Sequence, residues 1–74
     1  MTCRLNEAVK EKDVTIKEIT DESVYEQLGE QGFTIGSTVK VISKLPFNGA
    51  IACESNNTRF AIRAEDAASI IVFD

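Results

Sequence analysis

Val14 and Ile16 stand two residues apart in an alternating stretch that runs to Ile19, the period-two pattern of a half-buried strand. Ile19 is out of phase with them, so the strand either bends near its end or has already stopped. From Thr20 the period changes. Thr20 or Asp21 can cap a helix, acids crowd the first turn, and Val24, Tyr25 and Leu28 recur at helical spacings. This predicts one short α-helix over about residues 21–31. Gly32 is placed for the left-handed position that ends a helix, and Phe33 can fold back onto the last turn, so a β-branched residue at 32 is expected to be costly.

After an Ile35-Gly36 turn, Thr38 to Leu45 alternates again with Val39 and Val41 inward, and Pro46-Phe47-Asn48-Gly49 supplies a proline-started turn. Ala50 to Glu54 returns with Ile51 and Cys53 on one face, and Ser55-Asn56-Asn57 is a second turn whose asparagines tolerate positive φ. In Thr58 to Arg63, Phe60 and Ile62 point one way and Arg59, Ala61 and Arg63 the other. Truncating Phe60 in a core is expected to cost about 3 to 5 kcal/mol. Ala64 to Ala68 allows one helical turn, and Ser69 to Phe73 is a continuous apolar run of the kind found in doubly buried strands. Ile71 and Phe73 face away from Ile70 and Val72. Leu5 and Val9 are expected to cover that second face, ahead of a dimer or partner interface. Five strands and one helix between the first and second predict a mainly β fold, a small barrel or partly open sandwich.

With 74 residues, 43% hydrophobic and 27% charged, the chain reads as a single globular domain over residues 1–74. No apolar run approaches the roughly 20 residues that cross a bilayer, and the first twelve residues alternate charges, so no membrane insertion and a cytoplasmic location are expected. The chain has no histidine, and its two cysteines, Cys3 and Cys53, are fifty positions apart, which leaves no zinc or His-based catalytic set. No nucleophile with an adjacent base and no phosphate loop can be assembled, so no enzyme activity, catalytic residue or cofactor is expected. Net charge is −4, and the excess is N-terminal: residues 1–33 hold four bases against eight acids, residues 34–74 four of each. That balance argues against nucleic acid as a partner.

Glu18, Glu22, Glu26 and Glu30 recur every four residues. The pattern reads first as a solvated helix face, and second as a docking stripe for a basic surface or a weak collector of divalent cations. Without histidine or a converging second element it supports no metal ligands. Candidate partner-binding residues are Glu22, Tyr25 and Glu26 on the helix and Pro46 and Phe47 at the turn, where the Phe47 ring is either a partner contact or a plug over the barrel end. Self-association is left open.

Three segments carry a resemblance. Leu28-Gly29-Glu30-Gln31-Gly32-Phe33-Thr34-Ile35-Gly36 followed by a strand resembles the FeoA signature of a helix ending in an apolar residue, then Gly-apolar-Thr-Pro-Gly. Leu45-Pro46-Phe47-Asn48-Gly49-Ala50-Ile51 is similar to that family's Ala-Pro-Leu-Gly-Gly-Pro turn, and Thr58-Arg59-Phe60-Ala61-Ile62-Arg63-Ala64-Glu65-Asp66-Ala67 to its Thr-Arg-apolar-Ala-Leu-Arg-x-Glu-Glu-Ala run. Leu28, Gly32, Phe33, Gly36, Gly49, Arg59 and Phe60 are the structural positions this matches. The resemblance implies a five-stranded SH3-like barrel and a cytosolic accessory protein of ferrous iron uptake. Its implied partner is the cytoplasmic part of the FeoB membrane transporter, which carries a guanine-nucleotide-binding domain. Ile35 stands where the family often has proline, and Tyr25-Glu26-Gln27 where many members place bases, so a contact made by those bases does not transfer. The alternative is a freestanding SH3-like regulatory domain related to the C-terminal domain of metal-dependent transcriptional repressors.

Overall fold

Alternation becomes a curled antiparallel sheet in the computed structural model, which describes residues 1–46 and 49–74. Its strands are β1 (Thr2–Arg4), β2 (Asp13–Ile19), β3 (Thr38–Lys44), β4 (Ala50–Ser55), β5 (Thr58–Arg63) and β6 (Ile70–Phe73). Helix α1 (Glu22–Glu30) joins β2 to β3, a one-turn helix α2 (Ala64–Ala67) joins β5 to β6, and a 3-10 turn (Leu5–Glu7) follows β1. The strand order is β1-β6-β2-β3-β4-β5, so β6 crosses back to lie beside β2. Six strands stand where five were expected. β1 is three residues long, too short to show a period, and is held by pairing Cys3 with Val72 of β6.

Two bulges bend the sheet around its core. In β2 the register with β6 shifts between Ile16 and Glu18, and Lys17 is the extra residue. This explains why Ile19 is out of phase: the strand bends and continues to pair with Ile70. In β3 the register with β4 shifts between Val41 and Ser43. Val14, Ile16, Val39, Val41, Ile51, Cys53, Ile62, Ile70 and Val72 are buried on the concave side. Ser55, the one buried polar residue among those described, donates its hydroxyl to the Thr38 carbonyl at 2.6 Å. Asn56 and Asn57 both take positive φ, 52° and 66°, as a two-residue hairpin turn requires.

The apolar run at the C-terminus is buried on one side only. Ile70 and Val72 are buried, Ile71 is half-buried, and Phe73 is 49% exposed. Leu5 and Ala8 join the core and Val9 is 67% exposed, so the expected cover over Ile71 and Phe73 does not form. The 3-10 turn brings Leu5 into the core, against β6 and α2. A hydrophobic run this short satisfies either one or two buried faces, and a run alone does not distinguish them.

Helix α1 begins and ends as its sequence predicts. Asp21 caps it, accepting from the Ser23 hydroxyl at 2.6 Å and from the Ser23 and Val24 backbone N–H groups at 2.8 and 3.3 Å. The Ser23 hydroxyl, more than either amide, holds the Asp21 carboxyl below its ordinary value. At the other end the Phe33 N–H donates to the Leu28 carbonyl (2.9 Å) and the Gly32 N–H to the Gly29 carbonyl (3.1 Å). This is the double-bonded left-handed cap, with Gly32 at φ 89°. Phe33 is thereby turned back to be buried, and its ring lies 4.5 Å from the Phe60 ring at 31° between planes. Phe60 is only half-buried, so truncating it costs nearer the low end of the expected range, about 3 kcal/mol. Gly36 (φ 94°) follows Ile35 in a turn closed by the Ser37 N–H on the Thr34 carbonyl at 3.0 Å. Ile35 occupies the first central position, where proline is common but not required.

Gly29 and Gly32, three positions apart, should respond oppositely to substitution. Neither has an atom within 4 Å of a built β-carbon, so backbone conformation alone decides. Gly32→Val should lose about 2 kcal/mol of unfolding free energy in urea titration, and Gly29→Ala, inside the helix, should gain about 0.5 to 1 kcal/mol. Asp21→Ala should lower the melting temperature at neutral pH. The folded pKa of Asp21 is depressed, so its contribution is present above the ordinary carboxylate range and lost as pH falls through the folded value. The gap between Asp21→Ala and wild type should therefore close on acidification in a pH series of thermal melts.

Candidate partner-docking surface

Val24 and Leu28 are buried on the inner stripe of α1, and every other residue of the helix is exposed. With only two anchors per nine residues, the helix presents most of its circumference outward. Glu22, Glu26 and Glu30 share that exposed side, and Tyr25 is 45% exposed beside them. From Glu18 to Val39 there are five acids and no base, so the stripe has no cation of its own segment to neutralise it. Among the described residues, none of these carboxylates forms an ion pair.

The bases of the C-terminal half are otherwise engaged. Arg59 pairs with Glu54 across the β4–β5 hairpin at 3.2 Å, and Arg63 pairs with Glu65 at 3.2 Å and Asp66 at 3.0 Å. Lys40 pairs with Asp13 at 4.0 Å, and Lys44 donates to the Asn6 carbonyl at 3.0 Å. Arg59 therefore acts as a strand-pairing residue here, and its neighbour Phe60 supports Phe33.

Pro46 is exposed just after the end of β3. Glu22, Tyr25 and Glu26 lie on neighbouring positions of the exposed side of α1. Phe47 lies outside the described residues. Gly49 closes the turn with its N–H on the Pro46 carbonyl at 3.2 Å, and a β-carbon there would fall 2.8 Å from that of Leu45. Next to this turn a cleft of about 500 Å³ is lined by Asn6, Arg63 and α2. Arg63 is held by its two carboxylates, so the cleft offers no unengaged cation to an anion.

Among the described residues no three of His, Cys, Asp and Glu gather as a metal would require, and no helix is long and apolar enough to cross a membrane. Both cysteines are free, and burial pushes the Cys53 thiol up to about 11, which leaves it a packed side chain without thiolate character at neutral pH. Sequence reading ranks the face of Ile71 and Phe73 as an interface only behind intramolecular cover, and does not place Arg4 and Lys17 beside it. The alternation of Thr2-Cys3-Arg4 against Ile71-Val72-Phe73 was the available signal.

No curated sequence matches the chain. Solved structures do. An iron uptake regulatory protein, FeoA, superposes with a TM-score of 0.83 at 26% identity, over 97% of this chain and 94% of that one. A FeoA-like protein from Clostridium acetobutylicum gives 0.83 at 23% identity, over 97% and 85%. A manganese-dependent transcriptional repressor gives 0.84 at 18% identity, over 96% of this chain but 40% of its own length, which shows a shared SH3-like fold alone. The family model described as the FeoA domain matches residues 3–73, and the chain belongs to the FeoA domain family.

Proposed function

We propose that this chain is a non-enzymatic accessory module of bacterial ferrous iron uptake that binds the cytoplasmic part of a FeoB-type transporter and regulates it, in the cytoplasm. The FeoA match over residues 3–73 carries the reading. The surface supports it in kind: an anchored helix offers Glu22, Tyr25 and Glu26 outward with no neutralising base, which suits a basic patch on a partner. Pro46 and Phe47 are a second candidate contact. Nothing in the pairing of acids, bases and thiols supplies a nucleophile with a base, so the role is exerted through contact.

A second reading rests on the likeness to manganese-dependent repressors: a freestanding regulatory domain that acts on a DNA-binding protein. Genomic neighbourhood separates the two, since a transporter gene beside this one favours the first and an isolated repressor core favours the second.

Calorimetric titration of the chain with the purified cytoplasmic portion of the transporter should give saturable binding that weakens with added salt. Glu22→Lys with Glu26→Lys should raise Kd about tenfold or more, since charges at a contact rim act together. Absence of binding at saturating concentrations would refute the reading.

A further inference from the structure

β5 ends the strand order with β4 as its only neighbour in the sheet, so one side of its backbone faces out. Hydrogen bonding decides which residues that side presents. The Leu45 N–H donates to the Ala50 carbonyl, which turns the backbone of Ala50, Ala52 and Glu54 toward β3 and that of Ile51, Cys53 and Ser55 toward β5. Their partners Ile62, Phe60 and Thr58 face β4 in return, and Arg59, Ala61 and Arg63 face away. Among the described residues nothing bonds the amide or carbonyl of Arg59 or Ala61, and Ala61 is exposed.

Edge strands are ordinarily shortened, bulged or blocked, and β5 is none of these. It runs six residues in unbroken register with β4, whereas β2 and β3 carry bulges. Arg59 and Arg63 lie on it, but acids of the same chain hold them, Glu54 on Arg59 and Glu65 with Asp66 on Arg63. The opposite edge is closed: β1 is three residues long, and its Arg4 N–H already donates to the Glu7 carboxylate at 3.1 Å. A second copy therefore cannot add head to tail at β1, and pairing at β5 stops at two copies. Phe60 points the same way. It packs on Phe33 from the inner side of the edge strand and is still only half-buried, so a strand laid beside β5 would cover the rest of it.

We infer that β5 pairs antiparallel with β5 of a second copy about a two-fold axis at Phe60. Charge and backbone direction choose the axis. Centred on Ala61, the pair would set Arg59 opposite Arg63 of the second copy, which repels. Centred on Phe60, Arg59 and Ala61 exchange backbone hydrogen bonds with Ala61 and Arg59 of the second copy, and Thr58 stands opposite Ile62. The two Phe60 residues then form the close, non-hydrogen-bonded pair, with Cα atoms about 4.5 Å apart. Each Arg59 faces an alanine and keeps its own Glu54. An edge this short buries less than the roughly 1,200 Å² of a stable interface, so the dimer is weak and concentration-dependent. This pairing does not rest on the transporter reading.

Sedimentation velocity of the full chain from about 0.01 to 1 mM should show the mass rising from 8.1 kDa toward twice that value. Over the same range hydrogen exchange at the Arg59 and Ala61 amides should slow, while the Phe60 and Ile62 amides, bonded to β4 throughout, should not change. Ala61→Pro removes an outward N–H and leaves the β4 ladder intact, and Ala61→Lys sets a cation opposite Arg59 of the second copy. Each should raise the dimer Kd about tenfold, with circular dichroism checking the fold. If Ala61→Pro unfolds, Ala61→Lys, at an exposed position, carries the test. A mass of 8.1 kDa at every concentration would overturn the pairing, as would a dimer that the folded variants leave unchanged. Protection of Arg59 and Ala61 only on adding the purified cytoplasmic portion of the transporter, with the chain alone monomeric, would give the edge to a partner's strand and overturn it too.

Discussion

The stacking of Phe33 on Phe60 determines where the helix sits, and with it the sign of the surface the protein shows. A nine-residue helix with two buried side chains is too short to be stable in isolation and must be held by tertiary contact. Its N-terminal end has the Asp21 cap, a local device, and is tied beside β6 at Thr20, whose N–H and hydroxyl both donate to the Ser69 carbonyl at 2.8 and 3.1 Å. The C-terminal end is different: Gly32 reverses the chain so that Phe33 drops onto Phe60 of β5 at 4.5 Å, while the Gly36 and Ser37 backbone binds Ile16 of β2. Two strands far apart in the sheet order are therefore bridged by the segment that ends the helix.

Charge distribution follows from this geometry. Sheet register pairs acid with base, at Glu54 with Arg59 across β4 and β5 and at Asp13 with Lys40 across β2 and β3, which leaves those side chains neutralised on the spot. The acids of α1 lie on a helix without bases, whereas on β1 and β2 Arg4 and Lys17 stand among Glu7, Asp13 and Glu18. The result is a small body with an acidic side on α1, a face of mixed charge around the exposed Phe73, and a nearly neutral hairpin region. Surface ion pairs contribute little to stability. Leaving these charges unpaired therefore costs the fold little and keeps them available to a partner.

Much of the fold was legible because its signals were local. The cap at Asp21, the left-handed Gly32, the two asparagines of the β4–β5 turn and the alternation of Phe60 and Ile62 each depend on residues within a few positions of one another. What was not legible depended on distance. β1 exists because Cys3 finds Val72 some seventy residues away, and three residues cannot announce a strand. The run from Ile70 to Phe73 reads as buried on both faces because nothing within it tells a strand where the sheet ends. Phe73 is uncovered because the N-terminal segment sends Leu5 and Ala8 inward. The same long-range pairing brings Lys17 over Phe73, which the sequence could not show, although it did offer the face of Ile71 and Phe73 as an interface behind intramolecular cover.

Amide hydrogen exchange on the wild type and on Phe60→Ala tests the aromatic joint most directly. Loss of the ring should strip protection from α1 amides, Tyr25 to Leu28, while β2 and β6 amides such as Ile16 and Val72 keep theirs. If all amides lost protection in equal measure, or if the helix kept its own, the helix would be held by something other than Phe33 on Phe60.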